Sequence, residues 1–173
     1  MRLLIDDKTV KIISDILWSP DPSQSCEMQQ FMKYVNDEHE LNFDTYEQLY
    51  RWSINCGSDF WASIWKYTDI IYSDPYDEVV DNINRMPGAK WFSGSRLNFA
   101  ENLLRYRDEK LAIQFKGEDQ AVRSLTYKEL YDEVEILASA LRNAGLQEGD
   151  RVAGFLPNLP EAIIAMLATA SIG

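Results

Sequence analysis

The sequence has little of what metal and thiol chemistry requires. Its 173 residues include one histidine, His39, and two cysteines, Cys26 and Cys56. A zinc site takes three or four ligands at recognisable spacing, so metal binding by this chain is not expected. Two thiols outside any disulfide framework suit a reducing compartment. Positive charge is also scarce: 17 Lys and Arg against 28 Asp and Glu, for a formal charge of -11. A nucleic-acid surface needs a basic stripe, and none is present. Phosphate binding stays open, because a local loop of backbone N–H groups can hold an anion on an acidic protein.

Long apolar runs are missing too. The longest, Val152 to Ile172, is interrupted by Pro157, Pro160 and Glu161, so no membrane-spanning helix is expected. The opening MRLLIDDKTV places acid where a signal peptide needs an apolar core, and a cytosolic location is the expectation. There is no internal repeat and no low-complexity segment. Gly117, Gly145, Gly149 and Gly154 stand singly, with no glycine-rich phosphate loop among them.

What is present is enough to fold. A 46% hydrophobic and 12% aromatic chain excludes wholesale disorder, and its length suits one domain or one and a piece. The most regular stretch is Ser124 to Gly173. Tyr127, Leu130, Val134, Leu137, Ala138 and Leu141 recur at three and four, predicting an amphipathic helix. Thr126 and Glu129 make a capping box at its start, and Gly145 ends it. Arg151 to Leu156 reads as an interior strand, stopped by Pro157. Asn158 and Glu161 form a second cap-like pair, with Pro160 in the first turn. The helix after it, Ala162 to Ile172, is apolar nearly all round, the pattern of a helix buried on most of its surface.

A strand and a buried helix are two-thirds of a βαβ unit, whose parallel partner strand should follow. Exposing Ile163, Ile164, Met166, Leu167 and Ile172 would forfeit about 1.5–3 kcal/mol each. That rivals the roughly 5–15 kcal/mol of an ordinary domain. The chain therefore reads as the front portion of a larger protein.

Upstream, residues Met1 to Ser19 fit either a short strand or a loose helix, and Asp21 to Ser25 a turn-rich linker. A helix is predicted from Ser25 to about Asp37, another after the Asp44/Thr45 cap, and a third from Ser58 through Ile71 and Tyr72. His39, among Asp37, Glu38 and Glu40, reads as a solvated surface histidine rather than a general base. Trp52, Trp61 and Trp65 read as packing between helices rather than a stacking platform for a ligand. Residues 73–84 are expected to be irregular, Met86 to Lys90 a loop anchored by Trp91 and Phe92, and Leu97 to Leu104 a short helix. Asn98 and Asn102 could reach a ligand, but satisfying nearby backbone is the simpler role. Arg105 and Arg107 read as surface partners of Asp108 and Glu109. Leu111 to Phe115 and Ala121 to Leu125 read as a hairpin.

The ordered pieces T-Y-x-E-L, A-G-L, G-D-R-V, L-P-N and P-E-A-I-I-A-M-L-A resemble the opening of the AMP-binding domain of adenylate-forming acyl-CoA synthetases. Leu49 to Trp65, Met86 to Phe92 and Leu97 to Leu104 are similar to the amino-terminal extension of the acetyl-CoA synthetase group. The forms MPGAKWF and LNFAENLL look most like its acetoacetate-activating branch. The resemblance runs from about Trp18 to Gly173. It implies an α/β fold: a segment at 1–40, a mainly helical tryptophan-rich extension at 41–104, and at 105–173 the start (hairpin, helix, strand, helix) of a synthetase domain. It further implies ATP, CoA and Mg2+ as the needs of the whole enzyme, and acetoacetate as its small-molecule substrate. An acetyl- or propionyl-CoA synthetase, or a truncated binding or dimerisation module, are the alternatives.

The family's Ser/Thr/Gly-rich loop ending in Pro-Lys has no match here, so no catalytic, cofactor or metal residue is carried onto this chain. Asp150 and Arg151 lie at the amino end of the expected strand, away from where parallel sheets gather ligands. Asn158, at the other end, is nearer any ligand, with helix capping as its competing role.

Overall fold

The computed structural model describes residues 26–173, and the backbone of residues 2–6 and 9–13. The expected stop at Trp18 to Pro20, the linker at 21–25 and the first residue of the helix predicted from Ser25 lie outside the described residues. The chain forms two compact units, Met1–Cys56 and Gly57–Gly173.

In the first unit, β1 (Arg2–Asp6) pairs antiparallel with β2 (Thr9–Ile13), Leu4 opposite Lys11. Of the two readings open for this end of the chain, the strand is the one adopted. Helix α1 (Glu27–His39) follows the predicted periodicity and buries Phe31 and Val35, one turn apart. It ends at Glu40, a left-handed residue with φ 54°. Asn36 then pins the returning loop, donating to the Phe43 carbonyl and accepting from the Phe43 N–H, both at 2.8 Å. Helix α2 (Tyr46–Asn55) starts at the expected Thr45 cap. Thr45 Oγ1 accepts from the Gln48 N–H, and Gln48 Oε1 accepts from the Thr45 N–H at 3.0 Å.

The second unit opens with α3 (Gly57–Tyr67), which stops short of the predicted Ile71 and Tyr72. Asp69, at φ 50°, turns the chain out of the helix, as a left-handed residue does beyond a C-cap. Residues 73–84 are more ordered than expected. Strand β3 (Glu78–Val80) pairs with β4 (Trp91–Ser93), Val80 opposite Trp91. Helix α4 (Phe99–Leu103) follows, capped by Asn98. The predicted hairpin forms from β5 (Leu111–Phe115) and β6 (Arg123–Thr126), with a bulge between Leu111 and Ile113.

Helix α5 (Tyr127–Asn143) carries the predicted box: Thr126 Oγ1 accepts from the Glu129 N–H at 3.2 Å, and Glu129 Oε2 accepts from the Thr126 N–H at 2.8 Å. Gly145, at φ 99°, follows its end. Helix α6 (Pro160–Ala170) lies against α5. Leu130, Val134 and Ala138 of α5 meet Ile164, Leu167 and Ala168 of α6, with Ala100 and Leu104 from the α4 region, in one buried cluster.

Three expectations around α6 are corrected. Arg151 to Leu156 does not form a strand and belongs to none of the three two-stranded sheets among the described residues. A strand exists only through a ladder of inter-strand hydrogen bonds, and nothing among the described residues pairs with this run. Asn158 does not cap α6 either. The N-cap is Leu159, without a side-chain hydrogen bond, while Glu161 reaches away to Arg123. The helix also buries one face rather than most of its surface: Ile164 and Leu167 are covered, whereas Ile163 and Met166 are exposed.

Candidate functional site

The residues with ligand-facing potential fall in two places, the run from Asp150 to Glu161 and the α4 joint. In the first, Asp150 is occupied locally. Its Oδ2 accepts from the Gln147 N–H at 2.9 Å, and its N–H donates to the Gln147 carbonyl at 3.1 Å. This is a side chain closing its own turn. Arg151 and Asn158 are exposed, and the turn at Asn158 is closed by the Leu159 N–H on the Pro157 carbonyl at 2.9 Å. Between them Phe155 is fully exposed at 106%, and Val152, Leu156 and Met166 are about half exposed at 46%, 55% and 53%. Val152, Gly154 and Leu156 form one wall of an apolar groove, and Ala162, Ala165 and Met166 of α6 form the other.

At the amino end of α6, Arg123 Nη2 donates to Glu161 Oε1 at 2.7 Å. The hydrogen bond from Arg123 is the largest cause holding the Glu161 carboxyl below its ordinary value, and the same bond raises the guanidinium. An acid in the first turn also suits the positive end of the helix.

The α4 joint contains Asn98, Asn102, Arg105 and Arg107 of LNFAENLLRYR, and here the sequence reading is half right. Asn98 and Asn102 do satisfy backbone. Asn98 Oδ1 accepts from the Glu101 N–H at 3.1 Å, and its Nδ2 donates to the Ala170 carbonyl at 2.8 Å. Asn102 brackets Ile71, accepting from its N–H and donating to its carbonyl, both at 2.9 Å. Arg105 and Arg107, in contrast, are not surface partners of Asp108 and Glu109. Arg105 donates to the Thr68 and Asp69 carbonyls at 2.9 Å each, to the Asn102 carbonyl at 3.1 Å and to Asn102 Oδ1 at 2.9 Å. It thereby satisfies carbonyls that the end of α3 leaves without partners. Arg107 lies over the Tyr131 ring, 3.7 Å from its centroid. Apart from the Arg105–Asn102 bonds, neither partnership carries a local sequence signal, since Thr68, Asp69 and Tyr131 are 24 or more positions away.

His39 is also not a solvated side chain. It is half-buried, 5.1 Å from the Trp52 ring and 3.6 Å from the Glu38 carboxylate. The tryptophans divide: Trp52 meets His39 and Phe43, while Trp61 meets Trp91 and Trp65 meets Tyr72, Tyr76 and Phe92. Trp65 and Phe92 are 4.7 Å apart, and Phe92 holds a left-handed backbone at φ 49°. These rings pack α3 onto the β3–β4 hairpin.

Among the described residues, no group of three or more His, Cys, Asp or Glu side chains is placed to hold a metal ion. Gly145 and Gly149 serve turns at φ 99° and 86°, and Gly154 sits in the groove wall. No chemical step is assigned to these residues. No helix among the described residues is long and apolar enough to cross a membrane.

Residues 46–103 match the family model described as acetyl-coenzyme A synthetase N-terminus, and residues 99–173 the model of AMP-binding enzymes. An acetoacetyl-CoA synthetase of Macaca fascicularis is 43% identical over 162 residues, covering 91% of this chain and 24% of that protein. A malonamoyl-CoA synthetase of Penicillium aethiopicum is 39% identical over 92% of this chain and 23% of its own length. Among solved structures, the acetoacetyl-CoA synthetase from Streptomyces lividans superposes with a TM-score of 0.79 at 36% identity, over 90% of this chain and 25% of that one. The chain spans about a quarter of the length of the relatives it matches.

Proposed function

We propose that this chain belongs to the AMP-binding acyl-CoA synthetases and is the amino-terminal part of an ATP-dependent acetoacetate–CoA ligase. The observation that carries this reading is the 43% identity to an acetoacetyl-CoA synthetase across 91% of the chain. The reaction so assigned is two-step. Acetoacetate displaces pyrophosphate from ATP, with magnesium, to give acetoacetyl-adenylate, and the CoA thiol then displaces AMP. Residues 41–104 would be the extension and residues 105–173 the first part of the adenylating domain, working in a reducing cytosol. The apolar groove beside Val152 and Leu156 supports this division, because an apolar run that forms no ladder and a helix with an exposed apolar face are what an incomplete parallel sheet leaves.

A neighbouring reading has its own support. The malonamoyl-CoA synthetase relative at 39% identity favours a different short acyl group on the same scaffold. Two measurements separate the outcomes. The chain alone, given ATP, magnesium, CoA and acetoacetate, is expected to release no AMP, and turnover by it would overturn the assignment to a non-catalytic part. The protein encoded by the transcript continuing past Gly173 should release AMP with acetoacetate in preference to acetate, propionate or malonamate. Preference for one of those acids would move the assignment to that substrate.

A further inference from the structure

From Arg151 to Leu156 no backbone N–H or C=O group makes a hydrogen bond among the described residues, yet the chain there already alternates as a strand does. Residues 152, 154 and 156 line the groove over α6, while Phe155 faces away, fully exposed. That is the period of two of extended backbone. The chain is tied down on either side of the run. Asp150 closes its turn on the Gln147 N–H at 2.9 Å, and Glu161 is held by Arg123 at 2.7 Å. An extended, unpaired segment held at both ends is a template for a second strand.

We propose that two copies of this chain pair here as an antiparallel, two-fold dimer, Arg151–Leu156 of one against Arg151–Leu156 of the other. Directly opposite residues in such a pair point to the same face. Only registers centred on a residue therefore bring the groove-lining rows of both copies together. Centring on Ala153 sets Asp150 against Leu156, a carboxylate in the apolar row. Centring on Phe155 brings Pro157, which has no N–H, inside the ladder opposite Ala153. Centring on Gly154 avoids both. Val152 then meets Leu156 beside the two α6 helices, Ala153 meets Phe155 on the outer face, and Pro157 falls opposite Arg151 at the ladder's end. The two Phe155 rings become diagonal neighbours across the axis, a separation that aromatic side chains span.

Val152, Leu156 and Met166 are each about half exposed, and Phe155 wholly so. Covering them and the strand backbone on both copies removes on the order of 1,000 Å² from water, the low end of specific interfaces, so a reversible dimer is expected rather than an obligate one. Each copy carries a formal charge of -11 and the contact is apolar, so added salt should tighten it by screening the repulsion. The proposal rests on reading the groove as an incomplete sheet. A monomer would remove the pairing and leave the family assignment, which rests on sequence identity, where it stands.

Sedimentation velocity of the full chain over a concentration series is the test. A monomer–dimer equilibrium in the micromolar range is expected, tighter at higher salt. Phe155→Lys and Leu156→Lys, both at exposed positions, should each weaken it at least tenfold. Introduced cysteines read the register. A Cβ at Gly154 meets only the Leu156 side chain, at 3.5 Å, and opposed Cα atoms about 4.5–5.5 Å apart lie within disulfide reach. Gly154→Cys, combined with Cys26→Ser and Cys56→Ser, should therefore form a covalent dimer on oxidation, with Ala153→Cys in the same background at least tenfold slower. A monomer at every concentration would overturn the proposal, as would growth past the dimer, loosening by salt or indifference to both lysines. Equal cross-linking at 153 and 154 would overturn the register and with it the pairing. If the serine background fails to fold, the lysine variants decide alone.

Discussion

Replacing Asn102 with leucine is the most informative single perturbation of this chain. The asparagine brackets both polar groups of Ile71, accepts from Arg105 and donates to the Asn98 carbonyl at 3.0 Å. Leucine fills a similar volume and returns none of these bonds. The Ile71 N–H and carbonyl, both part-buried, then lose their partners, and an unmet buried group costs about 1–3 kcal/mol. Partial solvent access lowers that toward the bottom of the range, so two groups together give about 2–4 kcal/mol. For a chain of this size each kcal/mol moves the melting temperature by roughly 2–4 °C, so a drop on the order of 10 °C is expected by circular dichroism. Hydrogen exchange locates the effect: the Ile71 amide should lose protection before the amides of α5. Asn102→Asp is the control. It keeps an acceptor for the Ile71 N–H and for Arg105 but can no longer donate to either carbonyl, and should fall between leucine and the unaltered chain. A melting temperature for Asn102→Leu within about 2 °C of the parent, with Ile71 protection unchanged, would refute the assignment of these bonds as what ties residue 71 to α4.

Three further outcomes are expected. Thr126→Ala removes the cap on Glu129 and should cost about 1 kcal/mol, seen as a lower melting temperature that Thr126→Ser restores. Leu167→Ala opens the centre of the α5–α6 cluster, where Leu167 is buried, and should cost about 2–5 kcal/mol in urea unfolding, with Leu167→Met far milder. Glu161 has its folded-state pKa lowered by Arg123. Its contribution is therefore full above the ordinary carboxylate pKa of 4.5 and is lost as pH falls through the folded value. Acid titration of Glu161→Gln should show a shallower loss of stability over that window. The effect is small because the pair is exposed, and identical acid profiles for variant and parent would remove it from the account.

The parts of the fold legible in the sequence are those specified within one helical turn. Thr126 with Glu129, Thr45 with Gln48, Pro160 at the start of α6 and Gly145 after α5 all act on neighbours three or four positions away, and each sits where the local chemistry puts it. The β5–β6 hairpin is legible for a related reason, being two apolar runs around a short turn. The β3–β4 pair is not, because Val80 and Trp91 meet across a loop with no periodic signal. Arg105 escapes for the same reason. Beside Asp108 and Glu109 it looks like a surface charge, and only the folded chain brings the Thr68 and Asp69 carbonyls to it. The polar residues of LNFAENLL occupy the middle ground, their helical spacing visible and their targets, Ile71 and Ala170, hidden.

The run from Arg151 to Leu156 marks where composition stops being informative about structure. Its residues are those of an interior strand, and the helix after it has the composition of a buried one. Burial, however, depends on a pair of surfaces. Helix α5 supplies one surface to α6, and that face is closed around Ile164 and Leu167; among the described residues no second surface meets Met166, and no ladder partner meets Phe155. The same residue types thus end up covered or bare according to what lies opposite. A charge introduced on the bare side separates these cases: Met166→Lys should leave the melting temperature within about 2 °C and raise solubility, whereas Leu167→Lys, one position on, should unfold the helix pair. If the two substitutions were equally damaging, the outer face of α6 would be covered after all, and the groove beside it would no longer support the proposal of an incomplete sheet.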